Sequence, residues 1–212
     1  IFRNFLISFF LLFKLITKFK LHKGGNSFDA AVATALAAGV VQPAGSGLGG
    51  GGFAVHVEIS NRNEPVMGVL DFREVAPLSA SEKMYQDKEG LVKPGISRKG
   101  ALAVAVPAEG AGLAALVKQH GQLSMKHVAS PAIRLAEKGF PMGAHLANAL
   151  SRSQYSGVLA LFEADGRPLE RYSIVRNKAL GGVLRRWAKS GGGSLRHGQD
   201  AQNIVSHVAK LG

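Results

Sequence analysis

The 212 residues contain no cysteine. That excludes a disulfide framework, a thiolate nucleophile and any zinc or iron–sulfur centre held by thiolates. A bilayer-length apolar run is also missing: Phe5–Phe13 is nine residues long, against the roughly 20 a spanning helix needs. None of the seven histidines forms H-E-x-x-H or a sequence-local cluster, so no metal site is expected. Acids are scarce, with 14 Asp and Glu against 26 Lys and Arg, for a net charge of +12. What is present, 46% hydrophobic residues, excludes disorder as the whole answer and suits one domain or most of one.

The positive charge is uneven. Residues 1–23 carry five bases and no acid, residues 24–106 seven bases and eight acids, and residues 107–212 fourteen bases and six acids. In the last segment, Arg185, Arg186 and Lys189 share a stretch with Leu180, Val183, Leu184 and Trp187 at helical spacing. That pattern is a core face with solvated charges opposite it. Aromatics are not interleaved with the bases as a stacking platform requires, so no nucleic-acid partner is expected.

Residues 1–23 form a distinct leader. Arg3 followed by an apolar run imitates an export signal, but Lys14, Lys18 and Lys20 follow in place of a small-residue cleavage site. Residues 1–21 also have the make-up of a cationic interfacial helix in contact with a membrane. An artefactual start is the remaining reading. The expected division is therefore 1–23 as leader and 24–212 as one domain.

Along that domain, Asn26 with Asp29 three residues on predicts a capped helix start. Phe28, Val32 and Leu36 repeat among alanines, and Gly39 is expected to end the helix. A glycine loop, Gly45–Gly52, precedes an alternating strand from Phe53 to Ile59, a turn at residues 61–64, and a second antiparallel strand from Pro65 to Phe72. Ala101–Val106 reads as a short buried strand. Helices are expected at about 108–119, 124–138, 142–153, 178–189 and 200–210. The class is α+β.

Gly47-Leu48-Gly49-Gly50-Gly51-Gly52 satisfies G-x-G-x-x-G, but a helix precedes it and a strand follows, the reverse of a dinucleotide site. No Gly-Lys-Ser/Thr makes a phosphate loop, and Ala44 and Leu48 break G-x-S-x-G around Ser46. The loop reads as a tight crossover where missing side chains admit backbone. His56 belongs on the strand face away from Phe53, Val55 and Val57. Arg73, at a strand end before a loop, is the candidate binding residue, because guanidinium pairs bidentately with carboxylate. On spacing alone, an internal ion pair with Asp71, Glu74 or another local acid is the favoured reading.

Two stretches carry a family resemblance. GGNSFDAAVATALAAGVVQPAGSGLGGGGF, Gly24–Phe53, and DFREVAP, Asp71–Pro77, resemble motifs of the γ-glutamyltranspeptidase (glutathione hydrolase) family, and weaker similarity continues to residue 212. The resemblance implies part of an N-terminal nucleophile hydrolase fold, an αββα sandwich represented here by a portion of the large subunit. It implies a precursor that cuts itself to expose a threonine serving as nucleophile and, through its amine, as base. It also implies γ-glutamyl transfer from glutathione or similar amides to water or an amino acid, without a cofactor. Within it, Arg73 matches the arginine that holds the glutamyl α-carboxylate. Periplasmic, secreted or membrane-associated location is the family expectation.

The threonines here are Thr17 and Thr34, one in the leader and one mid-helix among alanines, so neither reads as a processed nucleophile. No catalytic residue is assigned within the chain. It is expected to be a fragment that is silent alone, with the small subunit as partner, and to leave strand edges unpaired. A related acylase of the same fold, or a non-catalytic remnant at a membrane surface, are the other readings.

Overall fold

In the computed structural model of this chain, residues 14–18, 20–60, 62–153, 160–164 and 167–211 are described. The Phe5–Phe13 run lies outside them. No helix among the described residues is long and apolar enough to cross a membrane. The chain divides into two compact units, residues 1–48 with 113–191, and residues 49–112 with 192–212.

The first unit is mainly helical. Residues 14–18 and 20–22 are helical, followed by α1 (Ser27–Val41), the part of α2 (Glu109–His120) from Leu113 on, α3 (Met125–Lys138), α4 (Ala144–Ser151) and α5 (Lys178–Lys189). α1 packs on α3, and α3 on α5. Alanines make this possible: Ala33 and Ala37 of α1, and Ala129, Ala132 and Ala136 of α3, have no accessible surface. Small side chains let helix axes approach closely. Trp187 and Leu184 of α5 fill the larger gap, while Arg185 on the outer face chelates Glu137 with two 2.7 Å bonds. Those bonds hold the Glu137 carboxyl below its ordinary range and raise Arg185. The sequence-predicted core face and charged face of this helix are both present.

The α1 cap does more than its spacing announces. Asn26 Oδ1 accepts the Phe28 and Asp29 amides, and Asp29 Oδ2 accepts the Asn26 amide at 2.9 Å. The same carboxylate, fully buried, also accepts Gln122 N–H at 3.0 Å and Leu123 N–H at 3.2 Å. Asn26 Nδ2 donates to the His120 carbonyl, and the Phe28 ring stacks on His120 at 4.6 Å. One cap thus closes the start of α1 and the turn after α2. Gly39 does not end α1, which runs to Val41. Its missing Cβ instead admits the backbone of Gly47, whose Cα would lie 2.8 Å from a methyl there.

A second long-range contact repairs a defect in α3. Pro131 lies inside that helix and has no N–H to give the carbonyl four residues back, that of His127. The Lys20 ammonium and the Ser130 hydroxyl donate to that oxygen instead. Lys20 is 1% exposed. Burial pushes its ammonium below the ordinary lysine range, with Asp29 opposing.

The second unit contains β1 (Gly52–Ile59) and β2 (Pro65–Phe72), an antiparallel pair in full register from Gly52 opposite Phe72 to Ile59 opposite Pro65. It also holds the first turn of α2, together with α6 (Ser194–His197) and α7 (Gln199–Lys210). The strand expected at Ala101–Val106 is absent: Ala101–Ala103 forms a 3₁₀ turn, and Val106 alone bridges to Val75. Leu102, Val104 and Val106 are exposed, so nothing enforces the extended ladder that the apolar run suggested. Short two-residue strands elsewhere pair Phe140–Pro141 with Ile174–Val175, and Glu163–Ala164 with Arg167–Pro168.

Two measurements test the long-range ties. Asp29→Asn places an amide against converging N–H donors, and should cost about 1–3 kcal/mol in thermal or urea unfolding. Lys20→Met should destabilise by a similar amount, about 1–3 kcal/mol, and by clearly less when Pro131→Ala returns an N–H to the His127 carbonyl. Equal costs in both backgrounds would refute the repair.

Candidate functional site

The end of β2 is built by close approaches that glycine permits. A methyl on Gly51 would overlap the Phe72 carbonyl and sit 2.8 Å from the Glu74 amide nitrogen. A methyl on Gly112, in the first turns of α2, would enter the Phe72 side chain, and one on Gly52 would lie 3.0 Å from its ring. Backbone cannot yield cheaply to such contacts. The Gly50 carbonyl accepts the Ala108 and Glu109 amides at 2.9 and 2.8 Å, which ties the start of α2 to the glycine loop. On the far side, Val106 N–H donates to the Val75 carbonyl at 2.9 Å. Residues 72–75 are therefore fixed at both ends.

Arg73 projects from this clamped segment. Its own N–H donates to Asp71 Oδ1 at 2.8 Å, an Asx turn that takes the chain out of the strand. Its Nε lies 3.4 Å from Glu74 Oε2, with the side chains 69% and 29% exposed. The local ion pair allowed by spacing is thus present with Glu74, while Asp71 serves the backbone. An exposed single-contact pair contributes typically about 0–1 kcal/mol. A planar guanidinium has the geometry to take a carboxylate through two bonds in place of this single contact. Among the described residues, no partner engages the terminal Nη groups, the pair of donors such a ligand uses.

The other sequence candidates lie elsewhere. His56 is on the half-buried strand face, opposite Phe53, Val55 and Val57, and its Nδ1 sits 3.4 Å from Glu58 Oε1. Its ring occupies the space that a side chain at Gly68 would need. Thr34 donates within its own helix to the Ala30 carbonyl at 2.7 Å, and its hydroxyl is 3.5 Å from that of Thr17. Both threonines line an apolar cavity of about 560 Å³ with Leu21, Ala31 and Ala38. Neither hydroxyl has the adjacent base that a nucleophile requires in any contact seen among the described residues. A second cavity of about 560 Å³, lined by Leu15, Ile16, Pro131 and Arg134 among others, also belongs to the helical unit. Arg73 lines neither.

The glycine loop acts as the predicted crossover, with a refinement. Only Gly47 in Gly45–Gly52 has positive φ, at 151°. The other uses are close approach. No sequence signal singled out Gly112, because its partner Phe72 lies 40 residues away.

Gly112→Ala should lower the unfolding temperature, by the equivalent of about 1–3 kcal/mol of overpacking. It should also speed hydrogen exchange at the Val106, Ala108 and Glu109 amides. Gly49→Ala, where a methyl meets open space, should do neither.

Comparison with known proteins gives the context. The γ-glutamyltranspeptidase family model matches residues 16–212. Glutathione hydrolase 2 of Arabidopsis thaliana is 38% identical over 197 residues, covering 91% of this chain and 32% of the relative. The crystal structure of Helicobacter pylori γ-glutamyltranspeptidase superposes with a TM-score of 0.84 at 36% identity, over 94% of this chain and 58% of that one. A cephalosporin acylase from Bacillus halodurans superposes with a TM-score of 0.78 at 27% identity, over 94% of this chain and 38% of that one. The chain spans about a third of the length of the curated relatives it matches. The fold is α+β of the N-terminal nucleophile hydrolase type, of which these residues form part. With the family match running across nearly all of it, the chain belongs to the γ-glutamyltranspeptidase family.

Proposed function

We propose that the complete enzyme to which these residues belong transfers γ-glutamyl groups from glutathione and related amides to water or an amino acid. In this reading Arg73 grips the α-carboxylate of the glutamyl donor. The observation that carries it is the clamp on residues 72–75, which presents an exposed guanidinium at a fixed strand end beside a displaceable Glu74 contact. A planar fork suits a carboxylate, and the Glu74 side chain, still close by, suits the donor's ammonium.

The nucleophile and its base come, in this proposal, from polypeptide that the relatives carry beyond the matched span. Thr34 spends its hydroxyl on its own helix and Thr17 stands beside it, so neither serves. The 212 residues alone should therefore leave a γ-glutamyl anilide unhydrolysed. Transfer of an acyl group other than glutamyl is the second reading, favoured by the likeness to a cephalosporin acylase. If the acyl group carries no α-carboxylate, Arg73 would then be dispensable.

Arg73→Lys in the complete enzyme separates the two. It removes the fork and keeps the charge, so KM for a γ-glutamyl donor should rise about 10- to 100-fold, the equivalent of one or two weakened charge-assisted bonds. Donors lacking the α-carboxylate should be insensitive to the change. An unaltered KM for the γ-glutamyl donor would remove the assignment.

A further inference from the structure

The net charge of the chain is confined to one unit. Residues 1–48 with 113–191 carry 17 Lys and Arg against 5 Asp and Glu, whereas residues 49–112 with 192–212 carry nine of each. The acids of the helical unit do little to offset its surface. Asp29 is fully buried, and Glu137 is chelated by Arg185. Glu163, Asp165 and Glu170 are confined to one short stretch of sequence. A field of one sign on one unit attracts an anionic partner and is not required by the fold.

Part of this charge adjoins an apolar cleft. The cavity of about 560 Å³ along α3 has Leu15, Ile16, Pro131 and Leu135 on its walls, with Lys18, His22 and Arg134 beside them. Leu15 is 57% exposed. Arg134 and Lys138 are four residues apart on α3 and so neighbours on one face. The Lys138 carbonyl accepts the Arg176 Nε–H at 3.2 Å. Lys18, Arg134, Lys138 and Arg176 are all exposed, and none has an ion-pair partner among the described residues. Unneutralised cations thus run from the cleft to the end of α3.

We propose that this face binds anionic phospholipid at a membrane surface. Lipid phosphates meet the ammonium and guanidinium groups, and the upper methylenes of an acyl chain lie against Leu15, Ile16 and Leu135. The proposal is independent of the γ-glutamyl reading. Guanidinium forks match phosphate oxygens. A polyanion without an acyl chain would leave the apolar wall wet, so the pairing of wall and cations calls for an amphiphile. The sequence supplies a second anchor of the same kind, because the apolar run Phe5–Phe13 ends where Lys14 begins, and apolar residues followed by lysines suit an interface. Nucleic acid would use the charge alone. Among the described residues no Phe, Tyr or Trp lines the cleft for base stacking.

The test is cosedimentation with vesicles of phosphatidylcholine, alone or with about a third phosphatidylglycerol, for the 212-residue chain and for the complete enzyme. Binding should need the anionic lipid and fall with added salt. Arg134→Glu with Lys138→Glu should reduce partitioning roughly tenfold or more. Lys88→Glu with Lys93→Glu, exposed and in the neutral unit, makes the same change in net charge and should alter it less than about twofold. Leu15→Ser keeps the charge and should weaken binding about threefold or more. Circular dichroism should be unchanged in every variant. Equal losses in the two charge pairs would overturn the site, because bulk charge would then suffice. Equal binding to both vesicles would also overturn it, leaving the apolar run as anchor, and so would an unaffected Leu15→Ser variant. Binding by the short chain but not by the complete enzyme would show the face covered and sink the proposal. Tighter binding to duplex DNA than to anionic vesicles, lost in the Arg134 and Lys138 pair, would assign the face to nucleic acid instead.

Discussion

Two absent methyl groups, at Gly51 and Gly112, decide where Arg73 stands. Each opens space that the strand end fills, with the Phe72 carbonyl and Glu74 amide against one and the Phe72 ring against the other. Hydrogen bonds from Ala108 and Glu109 to Gly50, and from Val106 to Val75, then close the arrangement. The charged side chain needs no packing of its own to be oriented, because the backbone beneath it has no room to move. An arginine held in this manner stays solvated, with its side chain 69% exposed, which limits the desolvation cost of its charge.

The helical unit obeys a related economy of backbone groups. Every helix end and every proline creates amides or carbonyls that must find partners when buried. Asp29 answers for the turn after α2 as well as for its own helix, and Lys20 answers for the carbonyl that Pro131 abandons. Both side chains are ionisable and buried, yet neither stands in an apolar void. Their polar atoms are spent on backbone amides and carbonyls, which is how ionisable groups are accommodated in an apolar interior.

The sequence made the elements legible where their signals were local. Helical spacing located α3 and α5 closely, alternation set the hairpin, and the order of helix, glycine loop and strand is the one read from the sequence. Its failures share one cause. Gly39 reads as a terminator because glycine usually ends helices, but its use is contact with Gly47 across a turn. Ala101–Val106 reads as buried strand because apolar runs usually are, but no neighbouring strand pairs with it beyond one bridge. Asp29 with Leu123, and Lys20 with His127, are separated by 94 and 107 residues, beyond the reach of periodicity or capping rules. For Arg73 the sequence offered two partners of equal standing. The structure gives the arginine to Glu74 and the Asp71 carboxylate to the backbone.

The tie between Lys20 and the His127 carbonyl bears on how the N-terminal residues should be handled in the laboratory. By composition they resemble a tag or leader that a protein engineer would trim without thought. Cutting after residue 23 would withdraw an ammonium from a proline-broken helix more than a hundred positions downstream, and injury there would be mistaken for an intrinsic weakness of the domain.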